Sequence, residues 1–472
     1  MSTADLVYSS TMTTLHLRLP ALLLFGCTDP LAPGKAAQDS PPPVDSGPAD
    51  DTGGTDPTEV ALPGTWEDPI LAGVALSLEV AHPELTDALL AGDQLVFVGQ
   101  EQDTDGGMWT YSLADPDAPA FLGHTTNRKH IQRACWDGSQ AWGMTREGML
   151  VTLSLGSAGP TVLQESSVGQ VGTGISCDAS HVAWGAGVNG GGWAEREGTW
   201  IGPIHNLNME VEDVRLEGDR LWVLARNRLT AMDIEGETLV ELGHVDLDGA
   251  CLDIAPGERW LAVACGSGGV TLVDRGDGQP SQLGQWQAWA SARAVSVQGS
   301  FVWVAAWTDL VLLDAADATA PVFAGAEQAL SSVMSVAAGE DDRVYAADWN
   351  QPFVATRTGA SAPEVRVSTE WVSAGGLATV YNHGTEALWI DGVSVAPNGS
   401  WAWEIAEDAV GTVSLATDDP DEPTVSVEVG GPAGLVVGAA APGFSEPDLY
   451  GELWELSMLH GEVVFLALFS DG

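Results

Sequence analysis

The stretch VRLEGDRLWVLARNRLTAMDIEGETLVELG, from Val214 to Gly243, contains the pattern that decides the fold. Short apolar runs alternate with polar residues, and small turn residues such as Gly218 separate one run from the next. Alternation at a period of two is typical of strands with one buried face, whereas helices need longer runs at a period of 3.6. The stretch therefore predicts consecutive strands joined by tight turns, with no room for helices.

The same pattern recurs seven times along the middle of the chain, at intervals of about 40 residues. The turns between the first and second strands of these units lie at Gly92, Gly138, Ala179, Gly218, Gly257, Gly299 and Gly339. A repeat of this length with about four strands per unit is typical of β-propellers. We predict an all-β chain with a seven-bladed β-propeller over residues 66–367, because ring closure removes exposed strand edges.

The units also resemble a known family. Val214–Gly243 and VSVQGSFVWVAAWTDLVLLDAADATAPVFAG, Val295–Gly325, resemble the LVIVD repeat, a propeller unit of bacterial surface proteins. WTYSLADPDAPAFLG, Trp109–Gly123, carries the same Asp-Pro turn after its third strand. The resemblance covers Leu76–Val367, is poorest over 171–205, and implies a fold more than a chemistry.

Charge limits the classes of partner. The chain has 66 acidic residues against 17 Lys and Arg, which gives a formal net charge of -49. Such a field repels phosphate backbones and anionic lipid surfaces, so we expect no nucleic-acid partner. A solvated acidic surface explains the charge, and a specific cationic ligand is the alternative.

The amino terminus reads as a targeting segment. TLHLRLPALLLFGC, Thr14–Cys27, holds an apolar run too short to span a bilayer but suited to a secretory signal. Its end, LFGC, resembles a bacterial lipobox, which implies cleavage before Cys27 and lipid attachment to its thiol. A plain secretory signal with a chance cysteine is the alternative. We assign 1–27 to the signal peptide and 28–65, rich in Pro, Gly and Asp, to an extended linker.

Charged residues enter the first strands of several predicted blades. Asp87, Arg133, Asp213 and Arg293 would approach the propeller axis and offer both signs of charge to a ligand. Ordinary solvated loop residues are the alternative, since surface loops are polar whatever their function. Tryptophans at equivalent second-strand places, such as Trp222, predict packing between blades and not a sugar-binding platform.

Four cysteines follow Cys27, an even number in an exported chain. Cys251 and Cys265 flank one turn symmetrically, and Cys135 and Cys177 occupy equivalent first-strand places in neighbouring blades. Disulfides 251–265 and 135–177 are one hypothesis, and four buried thiols are the other. The histidines show no clustered ligand spacing, so we expect no metal site and no cofactor.

Residues 368–431 lack the propeller signature. The strand-rich segments NHGTEALWIDGV, 382–393, and LATDDPDEPTVSVEVGG, 415–431, resemble Hydin-type immunoglobulin-like modules of bacterial surface proteins. The resemblance implies a short β-sandwich that acts as a spacer. A pair of irregular hairpins is the alternative.

Residues 432–472 resemble the opening of thioredoxin-like redoxins and peroxiredoxins. The matching positions are Gly438, Ala441, Pro442, Phe444, Asp448, Gly451, Leu456, Ser457, Leu459, Gly461 and the apolar run 463–469. In that family the strand is followed by a reactive cysteine, often in C-x-x-C, at a helix amino terminus that lowers the thiol pKa. The sequence ends at Gly472 before such a cysteine. We therefore expect an incomplete thioredoxin-like fragment with no catalytic residue.

Two functions are compatible with this organisation. The first is a lipid-anchored propeller protein of the cell envelope, on the extracytoplasmic side, which binds or displays a surface ligand or protein and is not an enzyme. The second is a truncated thiol oxidoreductase or peroxiredoxin-like protein carried on the same scaffold. The propeller's ligand and the oligomeric state are beyond what the sequence indicates.

Overall fold

The computed structural model describes residues 66–429, apart from 79–82, 102–105, 128–129, 277–278, 288–290, 341, 368–370 and 373, together with 445–447 and 453–455. The predicted signal peptide 1–27, the linker 28–65 and most of 432–472 lie outside the described residues. Within the described part, all regular structure is strand, which confirms the all-β prediction. That part contains no helix of the length and apolarity needed to cross a membrane.

Residues 66–367 form strands in close succession. These are β1 (Ile70–Ala75), β2 (Pro83–Ala91), β3 (Gln94–Glu101), β4 (Gly106–Ser112), β5 (Ala120–Asn127), β6 (Ile131–Trp136), β7 (Ala141–Thr145), β8 (Met149–Gly156), β9 (Gly159–Ser167), β10 (Gly174–Cys177), β11 (His181–Gly185), β12 (Gly191–Glu197), β13 (Trp200–Ile201), β14 (His205–Leu207), β15 (Asp213–Glu217), β16 (Arg220–Ala225), β17 (Arg228–Glu235), β18 (Thr238–Asp246), β19 (Asp253–Pro256), β20 (Trp260–Ala264), β21 (Val270–Asp274), β22 (Ser281–Trp286), β23 (Ala294–Gln298), β24 (Phe301–Asp314), β25 (Val322–Ala338), β26 (Arg343–Asp348), β27 (Pro352–Arg357) and β28 (Val365–Val367).

Strands β2 to β22 form five small antiparallel sheets in chain order. Four of them, β2–β5, β6–β9, β15–β18 and β19–β22, have four strands each, and every strand pairs with the next one along the chain. The turn between β15 and β16 contains Gly218, whose φ is 62°. This is a left-handed conformation that glycine adopts without a steric penalty. In the remaining sheet, β12 pairs with both β13 and β14. That sheet covers the unit with the poorest sequence match.

A six-stranded sheet has the order β1-β27-β26-β25-β24-β23. The range of β24 is long because it covers two consecutive strands. The chain folds back between them at Trp307, whose φ is 62°. The N–H of Ala315 donates to the carbonyl of Ser300 at 2.8 Å, so the two ends of β24 lie side by side. The N–H of Arg275 donates to the carbonyl of Arg259 at the equivalent place between β20 and β21.

The first strand closes the last sheet. Strand β1 pairs antiparallel with β27, with Ile70 opposite Arg357, although the two strands are nearly the whole propeller-like region apart in sequence. The carbonyl of Trp349 accepts the N–H of Leu85, which ties β2 to the same end of the ring. Pairing with β1 covers an edge of β27 that would otherwise be open to another chain.

Apolar layers lie between successive sheets. Trp222 of β16 packs with Ile254 and Leu261 of the next sheet, and Phe97 and Trp109 of the first sheet pack with Tyr345 of the last. Trp222 is buried, which confirms its predicted packing role. Because each sheet packs on its neighbours and the last packs on the first, the sheets form a propeller-like ring.

Residues 365–429 build a separate apolar core from short strands. After β28 come β29 (Trp371–Val372), β30 (Leu377–Asn382), β31 (Leu388–Ile390), β32 (Val393–Val395), β33 (Ser400–Glu404), β34 (Gly411–Ala416) and β35 (Thr424–Val429). The sheets β28-β30-β33 and β29-β35-β34 share a core that includes Val380, Trp403 and Val427. Two further short strands, β36 (Ser445–Pro447) and β37 (Leu453–Glu455), pair antiparallel.

Candidate functional site

The innermost strands of the ring surround an axial cavity of about 360 Å³. Each wall is the first strand of one unit, so the residue types at the starts of these strands decide the chemistry of the cavity. Asp87, Arg133, Asp213, Arg215 and Asp253 are the charged residues that line it. Both signs of charge therefore meet in one cavity.

Side chains at the axis latch neighbouring sheets together. Oδ2 of Asp213 accepts the N–H of Ile254 at 3.1 Å, and Oδ2 of Asp253 accepts the N–H of Val295 at 2.8 Å. The same bond, from the N–H of Ala134 to Asp87 Oδ2 at 3.0 Å, joins the first two sheets. At other junctions a serine accepts the bond between sheets. Ser176 Oγ accepts the N–H of Leu216, and Ser296 Oγ accepts the N–H of Ala338.

Arg133 crosses from its own sheet to both neighbours. Its Nη1 donates to the carbonyl of Thr86 at 2.7 Å, and its Nε donates to the carbonyl of Thr173 at 3.0 Å. Nη1 also lies 3.7 Å from Oδ1 of Asp87, which in turn accepts the hydroxyl of Ser335. Arg133 and Asp87 are therefore already bonded within the protein and help to hold the ring closed.

The pKa values of two axial aspartates are raised. Burial raises the pKa of Asp213 well above its ordinary value, and the charge of Asp253 raises it further. Burial also raises the pKa of Asp87, although Arg133 opposes the shift. Since removing a carboxylate from water disfavours its charge, these groups can act as hydrogen-bonding latches without full ionisation.

We expect Asp213→Leu to destabilise the protein by about 1–3 kcal/mol, because the buried N–H of Ile254 would lose its acceptor. Asp213→Asn retains an oxygen acceptor and should stay close to the wild type. Asp246→Leu is the matched control, since the Asp246 side chain is 67% exposed and its partner Arg228 is also at the surface. Urea denaturation of the three variants checks this. Equal losses for the Leu and Asn variants at position 213 would contradict the latch.

The structure joins the four cysteines in two disulfides. Cys135 of β6 is bonded to Cys177 of β10, in the wall of the axial cavity, and Cys251 is bonded to Cys265 beside the β19–β20 pair. The first bond joins two sheets at a junction where Arg133 occupies the place of a latching aspartate and cannot accept an N–H. The disulfide thus supplies a covalent link between these sheets.

The four charged residues singled out from the sequence do not all have the same surroundings. Asp87, Arg133 and Asp213 line the cavity, whereas Arg293 lies beside it, with its guanidinium 4.9 Å from the centre of the Trp307 ring. Burial lowers the pKa of Arg293, and the charge of Arg133 adds to this effect. Sequence analysis missed Asp253 and Arg215, although Asp253 begins its strand at the same place as Asp213.

A second cluster of charge lies where the ring meets residues 365–429. Arg366 is its cation, with Nη2 2.9 Å from Asp309 and 2.9 Å from Glu364, and Nη1 3.0 Å from Glu422. Further carboxylates surround this core at Asp68, Glu327, Asp419 and Asp421. The cluster links β24 of the ring to β28 of the following module.

Burial raises the pKa of several of these carboxyl groups. The pKa of Glu327 rises to about 7 and that of Asp419 to about 8, with nearby Asp421 raising both further. Carboxylate oxygens of Asp68, Glu327 and Asp421, and of Glu364, Asp419 and Asp421, lie within 4.8 Å of one another, so either group could hold a cation. Oxygen ligands of this kind suit Ca²⁺ or Mg²⁺. The histidine spacing used in the sequence analysis gave no signal for such a group.

Comparisons with known proteins add little. No protein-family model matches the chain, and no curated protein matches it. Among solved structures, one chain of the crystal structure of the mitotic checkpoint complex aligns with 67% of this chain and 98% of its own length, at 13% identity and a TM-score of 0.47. A likeness of this size supports no statement about function.

Proposed function

We propose that this chain is a non-enzymatic binding or display protein of the cell envelope, with its ligand site in the axial cavity. The observation that carries the proposal is the cavity of about 360 Å³ with both Arg and Asp side chains in its lining. A volume near the lower end of the range for ligand pockets, with a few convergent polar groups, suits a small polar ligand.

The ring is proposed to be a seven-bladed propeller of LVIVD-like repeats. Five separate sheets each supply one blade, and the six-stranded sheet supplies two. In this division, β24 contains two consecutive strands of one blade. β25 contains the last strand of that blade and the first strand of the next blade, and β1 completes the last blade. The fold-back of β24 at Trp307 supports that division.

The remaining parts of the chain are proposed to place the ring outside the cell. Cys27 would carry the lipid, and 28–65 would act as the tether between membrane and ring. Residues 368–431 would form an immunoglobulin-like spacer, consistent with two small sheets around one core. Residues 432–472 would be a thioredoxin-like fragment, and the alternative oxidoreductase function depends on that part of the chain.

A cavity-filling variant tests the ligand site. Val297 lines the cavity and is half-buried, so we expect Val297→Trp to block the cavity. Full-length protein is incubated with a small-molecule extract, and retained compounds are identified by mass spectrometry. Wild-type protein and the control Leu163→Trp, an exposed position on β9, should enrich the same compound about tenfold more than Val297→Trp. Circular dichroism and melting temperature verify that both variants fold. Equal enrichment by all three proteins, or enrichment of nothing, would contradict the proposal.

A further inference from the structure

Arg215 is a half-buried cation that forms no ion pair with any carboxylate in the described part of the chain. It lies on β15, lines the axial cavity, and has its Nε closed off from solvent. Among the described residues, no acceptor is bonded to that Nε, and no carboxylate oxygen lies within ion-pair distance of the guanidinium. A buried donor without an acceptor costs free energy unless water or a ligand satisfies it.

The other half-buried arginines of the ring show how unusual this is. With the exception of Arg293, which stacks on Trp307, each of them in the described part of the chain has a carboxylate partner. The pairs are Arg133–Asp87, Arg196–Asp137, Arg220–Asp233, Arg275–Glu217, Arg343–Asp117 and Arg357–Asp342. In a chain with 66 acidic residues, carboxylates are abundant enough to pair such cations. The guanidinium of Arg215 is thus available to an oxyanion from outside.

The same cavity also offers a carboxylate. Asp253 is half-buried, and its Oδ2 accepts the N–H of Val295. No donor among the described residues is bonded to its other oxygen, Oδ1. Asp213 lies close enough for the two carboxyl groups to interact. An ammonium group beside Asp253 would be attracted by its carboxylate.

The net charge of the protein favours a ligand that carries both signs of charge over a simple anion. A net charge of -49 repels a free anion, and three aspartates line the same cavity as Arg215. A ligand with no net charge does not meet this repulsion. One that carries an oxyanion and an ammonium group would satisfy Arg215 and Asp253 together.

We propose that the axial cavity binds a small zwitterion, with its oxyanion at Arg215 and its ammonium group at Asp253. This inference rests on the proposed function and names the chemical class of its ligand. Free amino acids and short peptides belong to this class, as do zwitterionic headgroups. A guanidinium favours planar oxyanions because its N–H groups form two parallel hydrogen bonds with them.

Isothermal titration calorimetry of the full-length protein tests the inference. The probes are glycine, γ-aminobutyrate, diglycine and glycerophosphoethanolamine, each compared with derivatives that keep only the anion or only the ammonium group. At least one zwitterion should bind about tenfold more tightly than either of its derivatives. Binding of glycerophosphoethanolamine alone would indicate a headgroup, and binding of glycine or diglycine would indicate an amino acid or peptide.

Variants then assign the two charges. Arg215→Met should weaken binding of the zwitterion about tenfold, so that its affinity equals that of its ammonium-only derivative. Asp253→Asn retains an acceptor for the N–H of Val295. In this variant the affinity for the zwitterion should equal that for its anion-only derivative. Arg228→Met, at an exposed position, is the matched control. Melting temperatures verify folding.

Failure of this inference can be distinguished from failure of the proposed function. If no probe binds with a millimolar or lower dissociation constant, or if single-charge derivatives bind as tightly, the zwitterion is excluded. If the extract then yields a neutral or singly charged compound that Val297→Trp excludes, the axial site itself stands. Unchanged affinity in Arg215→Met would also overturn the inference.

Discussion

Arg366→Met is expected to destabilise the protein by about 3–5 kcal/mol at pH 8, because it removes the cation of a buried carboxylate cluster. Asp309 and Glu364, with side chains 6% and 5% exposed, would lose their ion pairs with Arg366. Breaking a buried ion pair from one side costs more than the pair contributed, since the remaining charge is still out of water. Urea denaturation at pH 8 measures the loss.

The loss of stability caused by Arg366→Met should be smaller at pH 5.5 than at pH 8, because the pKa values of the carboxyl groups are raised. An acid whose pKa is higher in the folded protein binds its proton more tightly there, so it stabilises the fold below its unfolded pKa. That contribution is lost as pH rises from about 4 towards the folded values of about 7 for Glu327 and about 8 for Asp419. Wild-type stability should therefore fall over this window, and the variant's should fall more steeply.

A matched control separates this cluster from ordinary surface charge. Arg228 pairs with Asp246, and their side chains are 46% and 67% exposed, so Arg228→Met should cost about 1 kcal/mol or less at either pH. If Arg366→Met costs no more than this control, or if its effect does not depend on pH, the carboxylates of the cluster are not held in the way described.

Gly174→Ala is expected to cost about 3 kcal/mol or more, for a steric reason. Gly174 begins β10, and a Cβ built there would lie 2.7 Å from the Cα of Asp213 as well as against its carboxylate. Backbone cannot rotate away as a side chain can, so the two first strands would have to separate. The latch from Asp213 to Ile254 would then be disturbed as well. Thermal and urea denaturation measure the effect.

Gly156→Ala is the control for the glycine prediction. A Cβ at Gly156, at the end of β8, would meet its nearest neighbour at 3.6 Å, an ordinary contact, and its backbone has no left-handed φ. We expect a change within about 0.5 kcal/mol at this exposed position. Comparable losses in both variants would contradict the close approach of β10 and β15.

The repeating strands could be predicted from the sequence because the signal is local. Turns such as Gly218 and alternating apolar residues recur in unit after unit, and the structure has strands at those places. The closure by Ile70–Ala75 is harder to predict, since its partner β27 lies far along the chain. The continuous β24 and β25 also depend on how neighbouring units meet, which no single repeat encodes.

The candidate sites show the same division. Asp87, Arg133 and Asp213 could be placed near the axis because each lies in the first strand of its unit. Arg215 could not, because only the packed structure shows that it has no carboxylate partner among the described residues. The cluster around Arg366 brings together Asp309 and Glu422, which no motif connects, and burial then raises pKa values that sequence alone leaves ordinary.

A crystal structure of the protein with the compound enriched from the extract tests the central claim most directly. The account predicts a ring closed by β1 on β27, with the compound in the axial cavity between Arg215 and Asp253. A compound bound elsewhere on the ring, with only ordered water along the axis, would contradict it.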